Sequence, residues 1–176
     1  MKKTLFLPAL LLLAAAAIAQ TATAQTKNPV SSALRDILPG RQKNTIAAVE
    51  AMPAGKFNYK PTADQMTFGH LVAHMVEANN TMCSKAAAVP APKVEEVKDT
   101  DSKDKPVAAL KASFDFCADA LSKMDDSRLG ETTEIFGNQA SRASVGIRLA
   151  SSWADHYAEA AMYLRLNGLL PPTAKK

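Results

Sequence analysis

Apolar positions recur at helical spacings of three and four through most of the chain after residue 30. Ser31 or Ser32 can cap a first helix carrying Leu34, Ile37 and Leu38, and Ile46, Val49 and Met52 continue the stripe. Pro39-Gly40 interrupts it. Proline removes a backbone donor and crowds the preceding turn, so the pattern predicts a kink or a short lead-in ahead of a main segment at about 41–52. Residues 53–61, with two prolines and a glycine, read as a loop. Thr62 with Gln65 three residues on makes a capping-box pattern, and a second helix is predicted from there to about Ala87. The charged, proline-containing stretch 88–105 reads as a long solvated crossover. Pro106 suits the first position of a third helix, where Val107, Leu110, Phe114, Cys117 and Leu121 form a stripe to about Met124. After a loop at 125–139, a fourth helix begins near Ser141 and aligns Val145, Leu149, Ser152, His156, Ala160 and Tyr163. Gly168 closes it and Pro171-Pro172 prevents continuation. Four stripes are buried most simply in an all-α four-helix bundle with a long crossover between helices two and three.

Composition narrows the function classes. The chain has 176 residues, 47% of them apolar and 6% aromatic, which is enough for one core. Its net charge of +4, from 21 basic and 17 acidic residues, comes with no basic stripe interleaved with aromatics, so no nucleic-acid partner is expected. Glycine-rich phosphate loops are absent, and no serine nucleophile on a strained turn accompanies a histidine and an aspartate. Residues 1–24 read as a signal peptide: Lys2 and Lys3 precede an apolar run, Leu5 to Ala19, too short to span a bilayer comfortably. Small residues allow cleavage before Gln20 or before Gln25, and the second is preferred. The mature chain is then expected to be exported, periplasmic or secreted, without stable membrane insertion after cleavage. Export bears on Cys83 and Cys117, which read either as a disulfide or as two buried thiols packing as small apolar side chains.

The candidate chemistry lies in three histidines, all on predicted helices. His70 and His74 are four residues apart with Glu77 one further turn along, a face that reads as metal ligands or as a hydrogen-bonded exposed pair. His156 lies on an apolar stripe, where an ionisable ring needs a hydrogen-bond partner or a metal. Asp155 and Glu159 flank it and either orient its ring or face solvent. Met66, Met75, Met82 and Met162 read as core filler, Trp153 and Tyr157 as interface packing, Arg142 as a candidate anion contact, and Arg165 as a structural bond near the helix end.

The segments MTFGHLVAHMVEANNTMCSKAA from Met66, SFDFC from Ser113 and WADHYAEAAMYLRLNGLLPP from Trp153 together resemble the DinB/YfiT-like family of metal-dependent four-helix bundles. The resemblance covers about residues 31–172. It implies a divalent cation (Zn, Ni or Mn) held by three histidines, one on helix two and two spaced HxxxH on helix four. His74 matches the helix-two ligand and His156 the second helix-four ligand. The first helix-four position is Ser152, a departure, because a neutral hydroxyl is a much poorer ligand than imidazole. Ser152 through a bound water, His70 as a third nitrogen, or Glu77 as an oxygen donor would complete such a set. The resemblance further implies a metal-dependent hydrolase or thiol transferase with a small-molecule or thiol substrate, and association as a homodimer. The alternative is a non-catalytic ligand- or protein-binding bundle with a degenerate metal site.

Overall fold

The computed structural model describes residues 27–98 and 101–174. The signal peptide expected at 1–24 lies outside them. The first helix, α1 (Pro29–Ala51), is one unbroken element with Pro39 inside it, not a lead-in followed by a main segment. Pro39 and Gly40 are exposed, so the lost backbone bond falls where water can replace it. On either side of them, Leu34, Leu38, Ala48 and Val49 are buried, and this packing carries the helix through the interruption. Its N-terminus is satisfied from far along the chain: Val30 N and Ser31 N donate to the Asp126 carboxylate at 2.6 and 3.0 Å.

Helix α2 (Phe68–Ala87) starts later than the Thr62 pattern predicts. Thr67 is the cap, its side chain accepting from His70 N, while Phe68 N and Gly69 N donate to the carbonyls of Tyr59 and Phe57 at 3.0 and 2.8 Å. Those loop carbonyls and the Thr67 hydroxyl fix the helix start; Thr62 and Gln65 pair their side chains in the turn before it. Helix α3 (Asp104–Ser122) begins two residues before Pro106, which is tolerated because first-turn amides have no intrahelical acceptor. Just ahead of it, Lys103 Nζ donates to the carbonyls of Glu50 and Met52 and closes the C-terminus of α1.

The expected loop at 125–139 contains a small antiparallel hairpin, β1 (Thr132–Ile135) and β2 (Asn138–Ser141), registered with Ile135 opposite Asn138. Phe136 and Gly137 both have positive φ, 49° and 75°, the backbone that a two-residue hairpin turn demands. Ile135, 1% exposed, anchors the hairpin to the bundle. Ser141 caps α4 (Arg142–Leu166) by accepting from Ser144 N, and Arg142 N and Ala143 N reach the carbonyls of Glu131 and Leu129. Gly168, at φ 73°, follows its C-terminus.

Helices α1 and α2 each pack against both α3 and α4, so they occupy opposite corners of a four-helix bundle. The α1–α4 approach is close at Gly146, where a Cβ would meet Leu34 Cδ1 at 3.2 Å. On the α2–α3 seam Cys83 and Cys117 are joined by a disulfide, with Cα atoms 5.2 Å apart. Beside it, Trp153 Nε1 donates to Asn79 Oδ1 at 2.9 Å, Asn79 Nδ2 to Ser113 Oγ at 3.0 Å, and Ser113 Oγ to Leu110 O at 2.8 Å. The buried polar side chains of this seam are thereby paired through three helices. Among the described residues no helix is long and apolar enough to cross a membrane.

Candidate functional site

His74 projects from the middle of α2 and His156 from the middle of α4, and the packing of these helices brings their rings together with centroids 5.0 Å apart and planes at 79°. The two are not equivalent. His74 is exposed, whereas His156 is 9% exposed. One turn before it on α4, Ser152 Oγ lies 3.3 Å from His156 Nδ1. Burial lowers the His156 pKa to about 4, and the neighbouring His74 adds to this; Asp155 opposes it. The ring is therefore neutral at pH 7.

A cavity of about 470 Å³ opens over the pair. Ser151, Arg148, Asp155 and Glu159 of α4 contribute polar groups, and Met66, Met82, Ile147 and Phe136 contribute apolar surface. Phe136 and Ile147 are 59% and 66% exposed. None of Phe136, Ile147 and Arg148 was a sequence candidate. The only signal was Phe136-Gly137 itself, a turn dipeptide with an aromatic residue where asparagine is usual. Met75 and Met82 are buried core residues as expected, but Met66 and Met162 are 38% and 40% exposed and line surface cavities.

The other sequence candidates separate from this centre. His70 and Glu77 are exposed and line a different cavity, on the crossover side of α2, so neither stands with His156 over the His74–His156 pair. His70 shares a helix face with His74 but stands one turn, about 6 Å, nearer the N-terminus of α2, away from His156. Arg142 is paired with Glu131 at 3.0 Å and reaches the carbonyl of Lys85, which removes it as an anion contact. Trp153 is buried, and Tyr157 packs partly buried with its hydroxyl 2.7 Å from Thr173 Oγ1. Arg165 is exposed.

The donor set can be tested against a resident cation. Two imidazoles sharing one tetrahedral ion at metal–nitrogen distances of about 2.0–2.1 Å have ring centres about 5 Å apart, and this pair meets that separation. The same distance and near-perpendicular planes describe an ordinary edge-to-face ring contact. The third position decides the matter. Ser152 offers a neutral hydroxyl, and that hydroxyl is within hydrogen-bond distance of the very ring it would accompany. Among the described residues no group of three or more His, Cys, Asp or Glu is placed to hold a metal ion. The residues present do not fit a three-imidazole centre.

Comparison with known proteins places the chain in a family. No curated protein matches the chain. Among solved structures, a DinB-like protein from Bacillus subtilis superposes with a TM-score of 0.63 at 14% identity, covering 77% of this chain and 92% of its own. A DinB-like protein from Bacillus cereus gives 0.65 at 15% identity, with 80% and 95% covered. At such identities the likeness is one of fold. The model of the DinB superfamily matches residues 38–159, a span that holds both histidines, Ser152 and both cysteines, and the chain belongs to the DinB superfamily.

Proposed function

We propose that this chain is an exported, non-catalytic binding bundle of the DinB superfamily, with a degenerate metal site, that takes a small molecule in the cavity over His74 and His156. One observation carries the reading: Ser152 stands where the resemblance implies a third imidazole, and its hydroxyl is placed to hydrogen-bond His156. Two imidazoles without a third protein donor hold a cation too weakly to retain it, while a buried neutral ring beside an exposed one offers both a fixed hydrogen-bonding group and an adaptable one to a ligand. The mixed lining, with Arg148, Asp155 and Glu159 facing Phe136 and Ile147, favours a ligand having a polar head and an apolar portion. The Cys83–Cys117 disulfide supports the export reading, because such bonds persist in oxidising compartments, periplasmic or extracellular.

The second reading is a metal-dependent hydrolase or thiol transferase in which waters complete a cation on His74 and His156, and the 5.0 Å ring separation favours it. Elemental analysis of the untagged protein from its export compartment separates the two, run beside Ser152→His and a His74→Ala/His156→Ala double variant. The binding-bundle reading expects no stoichiometric metal in the native chain; Ser152→His should raise Zn²⁺ affinity sharply if the cavity over the histidines is intact, because a third imidazole restores the usual ligand number, and no gain would count against the metalloenzyme. About one equivalent of Zn, Ni or Mn in the native chain, lost in the double variant, would overturn it in favour of the metalloenzyme.

A further inference from the structure

A second cavity, about 690 Å³, lies on the other side of His74, between α2 and the crossover segment 91–98. Three features of its wall converge on one kind of ligand. The first is charge: Glu77 from α2 and Glu95 and Glu96 from the crossover face it, and among the described residues of the wall Lys98 is the one lysine or arginine, with His70 and His74 beside it. Glu95 meets Lys105 only at 3.9 Å and stays 91% exposed, so that distant contact leaves its charge largely available. Among the described residues no group of three or more His, Cys, Asp or Glu is placed to hold a metal ion. The second is Asn80, which lines the cavity at 7% exposure and whose Oδ1 is buried with no hydrogen-bond partner. A buried carbonyl oxygen is normally satisfied, and a donor arriving with a ligand would satisfy this one. The third is apolar surface from Val76, Val94 and Val97 in the same wall.

We propose that this cavity is a binding site for a small primary alkylamine. Its ammonium group sits among the three carboxylates and donates one N–H to Asn80 Oδ1, and its hydrocarbon chain lies along the three valines. Charge alone would accept any organic cation. The unpartnered oxygen requires an N–H donor, and the valines require a chain behind it. The site does not depend on the reading of His74 and His156.

Isothermal titration of the protein in EDTA with n-hexylamine, hexan-1-ol and hexyltrimethylammonium tests each feature separately. Saturable 1:1 binding of hexylamine is expected, at least tenfold tighter than that of the alcohol, which lacks charge, or of the quaternary cation, which lacks N–H donors. Asn80→Leu, which replaces the orphaned amide by an apolar group of similar size, and Glu77→Gln, at an exposed position, are each expected to weaken it at least fivefold. His156→Ala is expected to leave it unchanged, so failure of the cavity over the histidines and failure of this one remain distinguishable. Should Asn80→Leu not fold, Glu77→Gln decides. Absence of saturable hexylamine binding, equal affinity for the quaternary cation, or indifference to Glu77→Gln would overturn the proposal.

Discussion

Toward α3, helix α2 presents Cys83 and Asn79, one in a disulfide and the other bonded on both sides of its amide, all within a core that excludes solvent. Toward α4 and the crossover the same helix presents His74, Glu77 and Asn80, which border two open cavities. The polar groups of the first seam bond one another. Asn80 in the second region keeps a buried oxygen with no protein partner. The contrast separates polar residues that specify the packing from polar residues whose capacity is left for something outside the chain.

The largest break in this contrast is expected on the closed side. Replacing both Cys83 and Cys117 by alanine removes a link across 34 residues, which in the chain-entropy picture is worth about 3–4 kcal/mol, and denaturant unfolding should show a loss of that order. An unchanged midpoint would mean that the polar network and apolar core hold the α2–α3 seam alone.

On the open side, the expected effect depends on pH. His156 binds its proton at about 4 in the fold and at about 6.5 in the unfolded chain. The unfolded state therefore takes up the proton first as pH falls. The stability is complete above about 6.5 and declines as pH drops toward 4, by up to about 3 kcal/mol. Thermal unfolding in EDTA from pH 7 to pH 4, compared with His156→Gln, checks this: the variant should lose distinctly less over that window. Equal slopes would place the acid sensitivity elsewhere.

The smallest effect is the sharpest test of what the open side is for. Phe136 holds a left-handed backbone, φ 49°, that suits asparagine better than phenylalanine, so Phe136→Asn should leave stability unchanged or raise it by about 0.5–1 kcal/mol. Chemical denaturation measures this. A clear loss of stability would show that the aromatic ring packs for the fold, whereas a gain would mark it as kept for the cavity it borders.

How much of this was legible in advance differs from element to element. The stripe from Val145 to Tyr163 and a helix start near Ser141 were readable because helix period is a local property. The start of α2 was not, because Thr62 and Thr67 are both plausible caps and the carbonyls of Phe57 and Tyr59 select between them. The continuity of α1 through Pro39 likewise rests on burial on both sides of the proline. The hairpin escaped notice because two four-residue strands carry too short an alternation to stand out from a loop. At the site, His74 and His156 stood out as histidines on predicted helices, and the family resemblance singled out Ser152 beside them. Asn80 was not, since an asparagine inside a helix gives no sign of whether its amide will find a partner.

The sequence by itself determined the four helices and the bundle, because periodicity and caps are written in neighbouring positions; the departure at Ser152 followed from the family resemblance. Only the tertiary structure decided that His74 faces His156 while His70 and Glu77 turn toward the crossover, that the two cysteines meet, and that Asn79 is bonded where Asn80 is not. Each of these depends on how helices rotate and approach one another, and a rotation of one residue, about 100° on a helix, exchanges a buried partner for open space.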